Sequence, residues 1–437
     1  MHSSPQIARL SGGERFPYLE DRDGLMSLWP TLFMFVVSRP SKTANTICNE
    51  LAAISHLQSW EQLHKRNLLE ELAEQRFPTD GDIQSLRDHC QRDALDLKRY
   101  MNRAKQLHGH SIELVAPIQG VSLQTVGKSH AYNRITVVGK YLYFCAVTMF
   151  RVRPNAGELS KRATEMRGAL LAQRPKGKDR RTGLAVHPSP QCFDEFMSVV
   201  ANDSPDNPFK SRAVRLRNNV LFRLIYETGM RSGEVLSRYV GDVTYDDRGD
   251  PIVRIIDRRD DPNNPHANPP QVKTLERDIP ISQALYDKIQ EYITSVRYNT
   301  PNARRRPLLF VNHRNDEFCG FPMSDKNFQH ELKRVVAVRP DRFSDIRRHG
   351  FRHNFNVRLT DQLDLYSIEK EPLTDQQRLD IRKDLNGHDG DESGAVYEKN
   401  AIRAKAKKAM RQYQDKQSSV LKEALAQAKG TTINDDK

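Results

Sequence analysis

Cysteine is scarce in this chain and poorly placed for pairing. The five residues, Cys48, Cys90, Cys145, Cys192 and Cys319, are odd in number and never in C-x-x-C spacing. That argues against a disulfide framework and a cysteine zinc site, and fits a reducing compartment. Long apolar runs are missing as well. The first, Leu32-Phe33-Met34-Phe35-Val36-Val37, begins only after residue 24, too late for a secretory signal. It also falls far short of the roughly 20 apolar residues that span a bilayer. No internal repeat is visible. A soluble, intracellular protein with no membrane partner is expected.

Positive charge is plentiful and unevenly spread. The 437 residues, enough for two or three domains, carry a formal net charge of +13 and a pI near 9.4. Residues 1–80 hold 8 Lys and Arg against 10 Asp and Glu, a net of −2, whereas residues 81–182 hold 19 against 8, a net of +11. Charge concentrated in the middle third fits a segment lying along phosphates, with salt-sensitive affinity. A solvated basic surface is the plain alternative.

Apolar periodicity makes the first 150 residues mostly helical. Ser41-Lys42-Thr43 caps a predicted helix with the stripe Ile47, Leu51, Ile54 and Leu57. Further helices are expected over 61–75, 82–106 and about 129–148, the last burying Val137, Tyr141, Phe144 and Cys145. The stretch Arg174-Pro175-Lys176-Gly177-Lys178-Asp179-Arg180-Arg181-Thr182-Gly183 lacks periodicity, and Pro, Gly and like charges keep it extended. It reads either as a plain tether or as a basic linker whose Arg174, Lys176, Lys178, Arg180 and Arg181 follow a polyanion. Beyond it the pattern turns α+β. A helix over about 217–228 stops at Gly229, another starts near Ser232, and strands are predicted over 252–256, 276–281 and 308–311. The expected fold is mainly α with a small antiparallel β-sheet. Its expected domains are a helical one at 1–172, a linker at 173–183 and an α+β domain at 184–430, followed by a polar tail after Thr431.

Three motifs carry the chemistry. Thr228-Gly229-Met230-Arg231-Ser232-Gly233-Glu234 sets Arg231 at a helix break. His349-Gly350-Phe351-Arg352-His353 comes later, and Leu385-Asn386-Gly387-His388 is followed nine positions on by Tyr397. Arginine is the best fixed donor for phosphate, because its planar fork stays charged and binds two oxygens at once. His349 and His388 can donate or shuttle protons. A tyrosine hydroxyl, with a pKa of about 10, must be activated where it sits to act as a nucleophile. Lys273, in Val272-Lys273-Thr274 just before a predicted strand, is suitably placed to protonate a leaving oxygen. Two arginines, two histidines, a lysine and a tyrosine are the equipment for opening a phosphodiester without a metal.

In this order the motifs resemble the tyrosine recombinases, the phage-integrase family. The resemblance covers about residues 184–405. It implies catalytic roles for Arg231, Lys273, His349, Arg352, His388 and the nucleophile Tyr397, with Glu234 as a supporting residue. It also implies that the first part is a helical core-binding domain clamping DNA and the second a tyrosine-recombinase catalytic domain. By the same resemblance the partner is double-stranded DNA at specific sites, exchanged through a 3′-phosphotyrosyl link without metal or other cofactor. A homotetramer on paired sites, an accessory directionality protein, nucleoid association and service to a mobile element are implied too. The segment 401–428 becomes a candidate for docking into a neighbouring protomer. Three departures stand out: a polar stretch from Asp361 to Arg378, an insertion between Lys273 and His349, and Leu-Asn-Gly-His in place of the usual Leu-Gly-His.

Rival readings stay open at several positions. His349 and His353, four apart, are half of a zinc motif, although Gly350 stands where the hydrolytic motif wants Glu. Lys273 can be an ordinary strand-edge lysine, and Tyr413 competes with Tyr397. A type IB topoisomerase uses the same residue types, and a catalytically inactive DNA-binding relative would keep the fold.

Overall fold

The computed structural model describes residues 4–21, 23–108, 123–176, 188–369, 371–387, 409–424 and 426. The chain divides into two compact units, 1–10 with 15–182, and 11–14 with 183–437.

The first unit opens with an antiparallel hairpin, β1 (Gln6–Arg9) and β2 (Arg15–Tyr18), which the sequence pattern did not announce. Helices follow: α1 (Leu28–Phe33), α2 (Ala44–His64), α3 (Leu68–Ala73), α4 (Asp80–Cys90), α5 (Ala94–His108), α6 (Lys128–Phe150) and α7 (Ala156–Ala172). The predicted stripe Ile47, Leu51, Ile54 and Leu57 is buried on α2, and Val137, Tyr141 and Cys145 on α6. Two expected helices are broken. The helix foreseen over 61–75 ends at His64, where Lys65 turns left-handed (φ 51°), and Asn67 caps a new start by accepting from the Leu69 and Glu70 amides. The one foreseen over 82–106 is interrupted after Cys90, where Asp93 Oδ1 accepts from the Leu95 and Asp96 amides at 2.9 and 3.1 Å. In both places a short polar side chain satisfies backbone donors that a continuous helix would have used.

A histidine pair ties α2 to α4. Each Nε2 lies 2.9 Å from the other's backbone carbonyl, with ring centroids 4.4 Å apart. A carbonyl only accepts, so both rings carry their proton on Nε2. Burial, then the charge of His56, pushes the His89 pKa down from 6.5 to about 2. The folded state therefore resists a proton that the unfolded chain accepts below 6.5. Stability is expected to fall as pH drops from 6.5 toward 2, by about 1.4 kcal/mol per unit, and to be insensitive to this group above 6.5. Urea unfolding of wild type and His89→Gln between pH 7 and 4.5 checks it. The Gln amide still reaches the carbonyl but does not titrate, so the two pH slopes should differ by about that amount.

The second unit holds α8 (Pro190–Val199), α9 (Arg212–Thr228), α10 (Ser232–Leu236), β3 (Val243–Tyr245), β4 (Pro251–Ile255), β5 (Arg277–Pro280), α11 (Gln283–Glu291), α12 (Asp325–Val336), α13 (Pro340–Phe343), α14 (Arg348–Glu369) and α15 (Asp375–Asn386). The strands form one antiparallel sheet in the order β3-β4-β5, with Val253 opposite Ile279. An aromatic cluster of Phe196, Phe222, Phe343 and Phe351 joins α8, α9, α13 and α14.

The strand expected over 308–311 is absent. That stretch makes only isolated bridges, Tyr239 with Leu308 and Val311 with Pro322. The buried Arg297 guanidinium donates to the Leu308 and Leu309 carbonyls, so a side chain does what a neighbouring strand would do. The polar stretch 361–378 continues α14 and starts α15, the latter with a Thr374–Gln377 capping box. Its apolar residues Leu363, Tyr366 and Leu373, with Ile381 and Leu385 further along α15, form a satellite core with Ala409, Met410 and Tyr413. The segment 409–424, foreseen as part of a helix for a neighbouring protomer, is helical and packs within its own unit, where the buried Gln414 donates to the Pro280 carbonyl at 2.9 Å. Among the described residues no helix is long and apolar enough to cross a membrane.

Candidate active site

Arg231 sits where α9 has ended and α10 has not begun. Gly229, left-handed at φ 66°, stops α9, and Arg231 is extended at φ −71°, ψ 149°. Three residues on, Glu234 accepts the Arg231 amide at 2.8 Å, a carboxylate in the first turn of a helix where the dipole favours it. Glu234 is fully buried (0% exposed) and gathers cations around it. Arg277 donates to both of its oxygens at 3.3 Å, Thr274 donates to Oε1, and Arg231 Nη1 lies 3.8 Å from Oε1. At that distance the Arg231 contact is an ion pair and not a hydrogen bond. Arg231 Nη1 is buried and has no hydrogen-bond acceptor among the described residues.

Arg352 reaches the same place from α14 with 9% of its surface exposed. Its Nη1 donates to the Gly229 carbonyl at 3.0 Å and its Nη2 to the Asn386 carbonyl at 2.7 Å. The guanidinium is thereby held between the end of α9 and the end of α15. Burial, then the charge of Arg231, pushes its pKa down to about 10. Two arginines more than a hundred residues apart in sequence thus repel one another across one spot. Arg277, lowered by burial and also by Arg231, is a third cation beside the buried Glu234 carboxylate. An anion placed there would relieve that repulsion.

Lys273 is exposed, but its backbone is pinned on both sides. Val272 is buried in the core and Thr274 is bonded to Glu234. Gly233 brings α10 hard against this segment, since a Cβ there would run into the Gln271 carbonyl. His349 lies exposed in the first turn of α14, one turn before Arg352, and His353 is also exposed. Among the described residues no group of three or more His, Cys, Asp or Glu is gathered to hold a metal.

His388 and Tyr397 lie outside the described residues, yet the approach to His388 is well defined. Asn386, 2% exposed, donates to Asn356 Oδ1 and the Arg382 carbonyl, both at 2.8 Å. Gly387, left-handed at φ 61°, ends α15, and its carbonyl accepts the Leu275 amide at 3.4 Å. Any Cβ at 387 would meet the Arg277 guanidinium and Thr274, so glycine is required twice, for its φ and for the close approach. Tyr413 is 2% exposed, its hydroxyl lies 3.5 Å from Arg358 Nη1, and burial pushes its pKa up to about 12. That is a packing residue.

Residues 196–370 match the model of the phage integrase family. The matched span contains Arg231, Glu234, Lys273, His349 and Arg352. Similar solved structures include the Tn1549 transposon integrase in complex with transposon right end DNA, at 15% identity over 71% of this chain and 92% of that chain, TM-score 0.33. The XerH site-specific recombinase bound to difH substrate is another, at 16% identity over 75% and 80%, TM-score 0.33. No curated protein matches.

Within this unit the structure brings Arg231, Glu234 and Arg352 together and fixes the backbone that carries Lys273. Of the linker residues, Arg174 stacks over Tyr132 at 4.7 Å and Lys176 is exposed, while Lys178, Arg180 and Arg181 lie outside the described residues. Motif spacing left Arg277 and Asn386 without a role. The signal for Arg277 was available in the pattern Arg277-x-Ile279-Pro280: an arginine on the same strand face as a core isoleucine has to find a carboxylate.

Proposed function

We propose that the chain is a site-specific DNA recombinase of a mobile element that cuts and rejoins strands through a 3′-phosphotyrosyl intermediate. The observation that carries this reading is the convergence of Arg231 and Arg352 on one spot beside Glu234, with a buried Arg231 donor unmatched by any described acceptor. A scissile phosphate fits that spot. Its two nonbridging oxygens gain charge in the transition state, and fixed guanidinium donors stabilise that charge without reorganising. Tyr397 gives up its hydroxyl proton to a neighbouring histidine, His349 or His388, and attacks phosphorus; the bond from phosphorus to the 5′-oxygen breaks, and Lys273 gives its proton to the departing 5′-oxygen. His349 and His388 add donors around the phosphate. A 5′-hydroxyl from a partner strand then reverses the step, so the ester is exchanged and not hydrolysed, and neither ATP nor metal is consumed.

The recombinase reading also implies partners. Exchange between duplexes requires several active sites, hence a homotetramer on paired sites, with an accessory protein setting direction. The basic linker from Arg174 through Lys176, Lys178, Arg180 and Arg181 would follow the DNA backbone. The test is to incubate the wild-type chain with a library of nicked duplexes randomised at the centre, in excess chelator. A detergent-resistant adduct enriched for particular sequences is expected. An absolute need for added Mg²⁺ or Zn²⁺ would contradict the mechanism. Relaxation of unrelated supercoiled plasmids would favour the topoisomerase reading.

A further inference from the structure

Arg277 lies where the elements of this site meet. Its side chain is 5% exposed and starts β5. Nη2 donates to both Glu234 oxygens at 3.3 Å, Nη1 to Thr274 Oγ1 at 2.9 Å and the Leu275 carbonyl at 3.1 Å, and Nε to the Leu385 carbonyl at 3.0 Å. One guanidinium is therefore bonded to the carboxylate that seats Arg231, to the two residues following Lys273, and to the end of α15 that leads into His388. Gly387 is packed against it, and the bond from the Leu275 amide to the Gly387 carbonyl closes the circle.

We infer that Arg277 is a positioning residue that sets the Lys273 ammonium against the leaving oxygen. It is too enclosed to touch DNA, so it acts through others. Only arginine suits the place: its five donors in a rigid plane serve Glu234, Thr274 and two carbonyls together, whereas a lysine ammonium has three donors on a flexible stem. Without Arg277 the loop keeps its Val272 anchor, the Thr274 hydroxyl bond to Glu234 and the long Leu275–Gly387 bond, but loses the guanidinium that braces Thr274 and Leu275 against Glu234 and the Leu385 carbonyl of α15. Lys273 then wanders, while the Arg231 amide still caps α10 through Glu234. This inference rests on the recombinase reading.

The leaving group separates positioning from general damage. In the ordinary step the electron pair of the broken bond goes to the 5′-oxygen, which needs the Lys273 proton. With sulfur in the 5′-bridging position the pair goes to sulfur, which leaves as a stable thiolate and needs no proton. Duplexes captured by the wild-type chain from the randomised library are made in both forms, and single-turnover adduct formation is measured for Arg277→Lys, Arg277→Ala and the milder Thr274→Val. On the oxygen substrate the Arg277 variants should be slower by about 10–100-fold, as expected for a misplaced general acid. DNA affinity should be unchanged, and on the sulfur substrate they should approach the wild-type rate, as Lys273→Ala should and Arg231→Ala should not. Thr274→Val should show a smaller defect of the same kind. Amide exchange over residues 271–276 should quicken in all three while α9 keeps its protection. Equal losses on both substrates, or unchanged exchange at 271–276, overturn the inference. Failure of the wild-type chain to form any adduct overturns the recombinase reading instead, and the exchange measurement still judges Arg277.

Discussion

Replacing Tyr397 with phenylalanine is expected to abolish the covalent protein–DNA adduct while leaving DNA affinity within a few-fold. The change removes one oxygen and nothing that binds phosphate, so the ground-state complex keeps its contacts and loses its nucleophile. Tyr413→Phe is the informative control. Its hydroxyl is buried beside Arg358, and burial holds its pKa near 12, so it is hard to deprotonate and closed to DNA. That variant should form adduct at the wild-type rate and lose only about 1 kcal/mol of stability with its hydrogen bond. Gel detection of adduct on a captured nicked duplex, with urea unfolding alongside, checks both.

Arg352→Ala should slow single-turnover cleavage by about 10²–10³-fold, the usual result of removing one preorganised donor from a developing oxyanion, roughly 2.7–4 kcal/mol. The structure adds a complication that the motif did not show. Arg352 also donates to the Gly229 and Asn386 carbonyls, so alanine leaves two acceptors unpaired and loosens the ends of α9 and α15. Arg352→Lys separates the effects. It restores charge but not the planar fork, so it should regain affinity for DNA more than rate. Equal recovery of both would mean that Arg352 acts as a point charge and not as a transition-state donor.

The site was legible wherever chemistry leaves a fixed spacing. A helix stop at Gly229 and a restart at Ser232 already placed Arg231 at a break, and Glu234 one turn on had to face back toward it. Lys273 was legible as a residue between two strands. What spacing cannot carry is convergence: nothing in the order of residues says that Arg352 will bond the Gly229 carbonyl, or that Arg277 will reach Glu234, Thr274 and Leu385 at once. The fold shows the same division. Long periodic segments such as α2, α6 and α9 follow from their apolar stripes, and left-handed residues, Lys65 and Gly229, stop the first and the last of them. The breaks at Lys65 and at Asp93 come from single polar residues that satisfy backbone amides locally, inside stretches whose periodicity carries on through them. The passage at 308–311 has the composition of a strand but meets Arg297 in place of a partner strand, a long-range event that local pattern does not contain. The polar insertion after Arg352 looked like a departure from the family, and it is a helical pair whose apolar minority is enough to build a satellite core under 409–424.

On the proposed mechanism Tyr397 becomes covalently joined to a DNA 3′-phosphate at a site built from arginines and not from metal ions. The most direct measurement is to trap the wild-type chain on a captured nicked duplex in excess chelator, digest protein and DNA, and locate the modified peptide by mass spectrometry. A single nucleotide-bearing tyrosine is expected, Tyr397, joined to a 3′-phosphate. Modification of Tyr413, a link to a 5′-phosphate, or the loss of all adduct once metal is removed would contradict it.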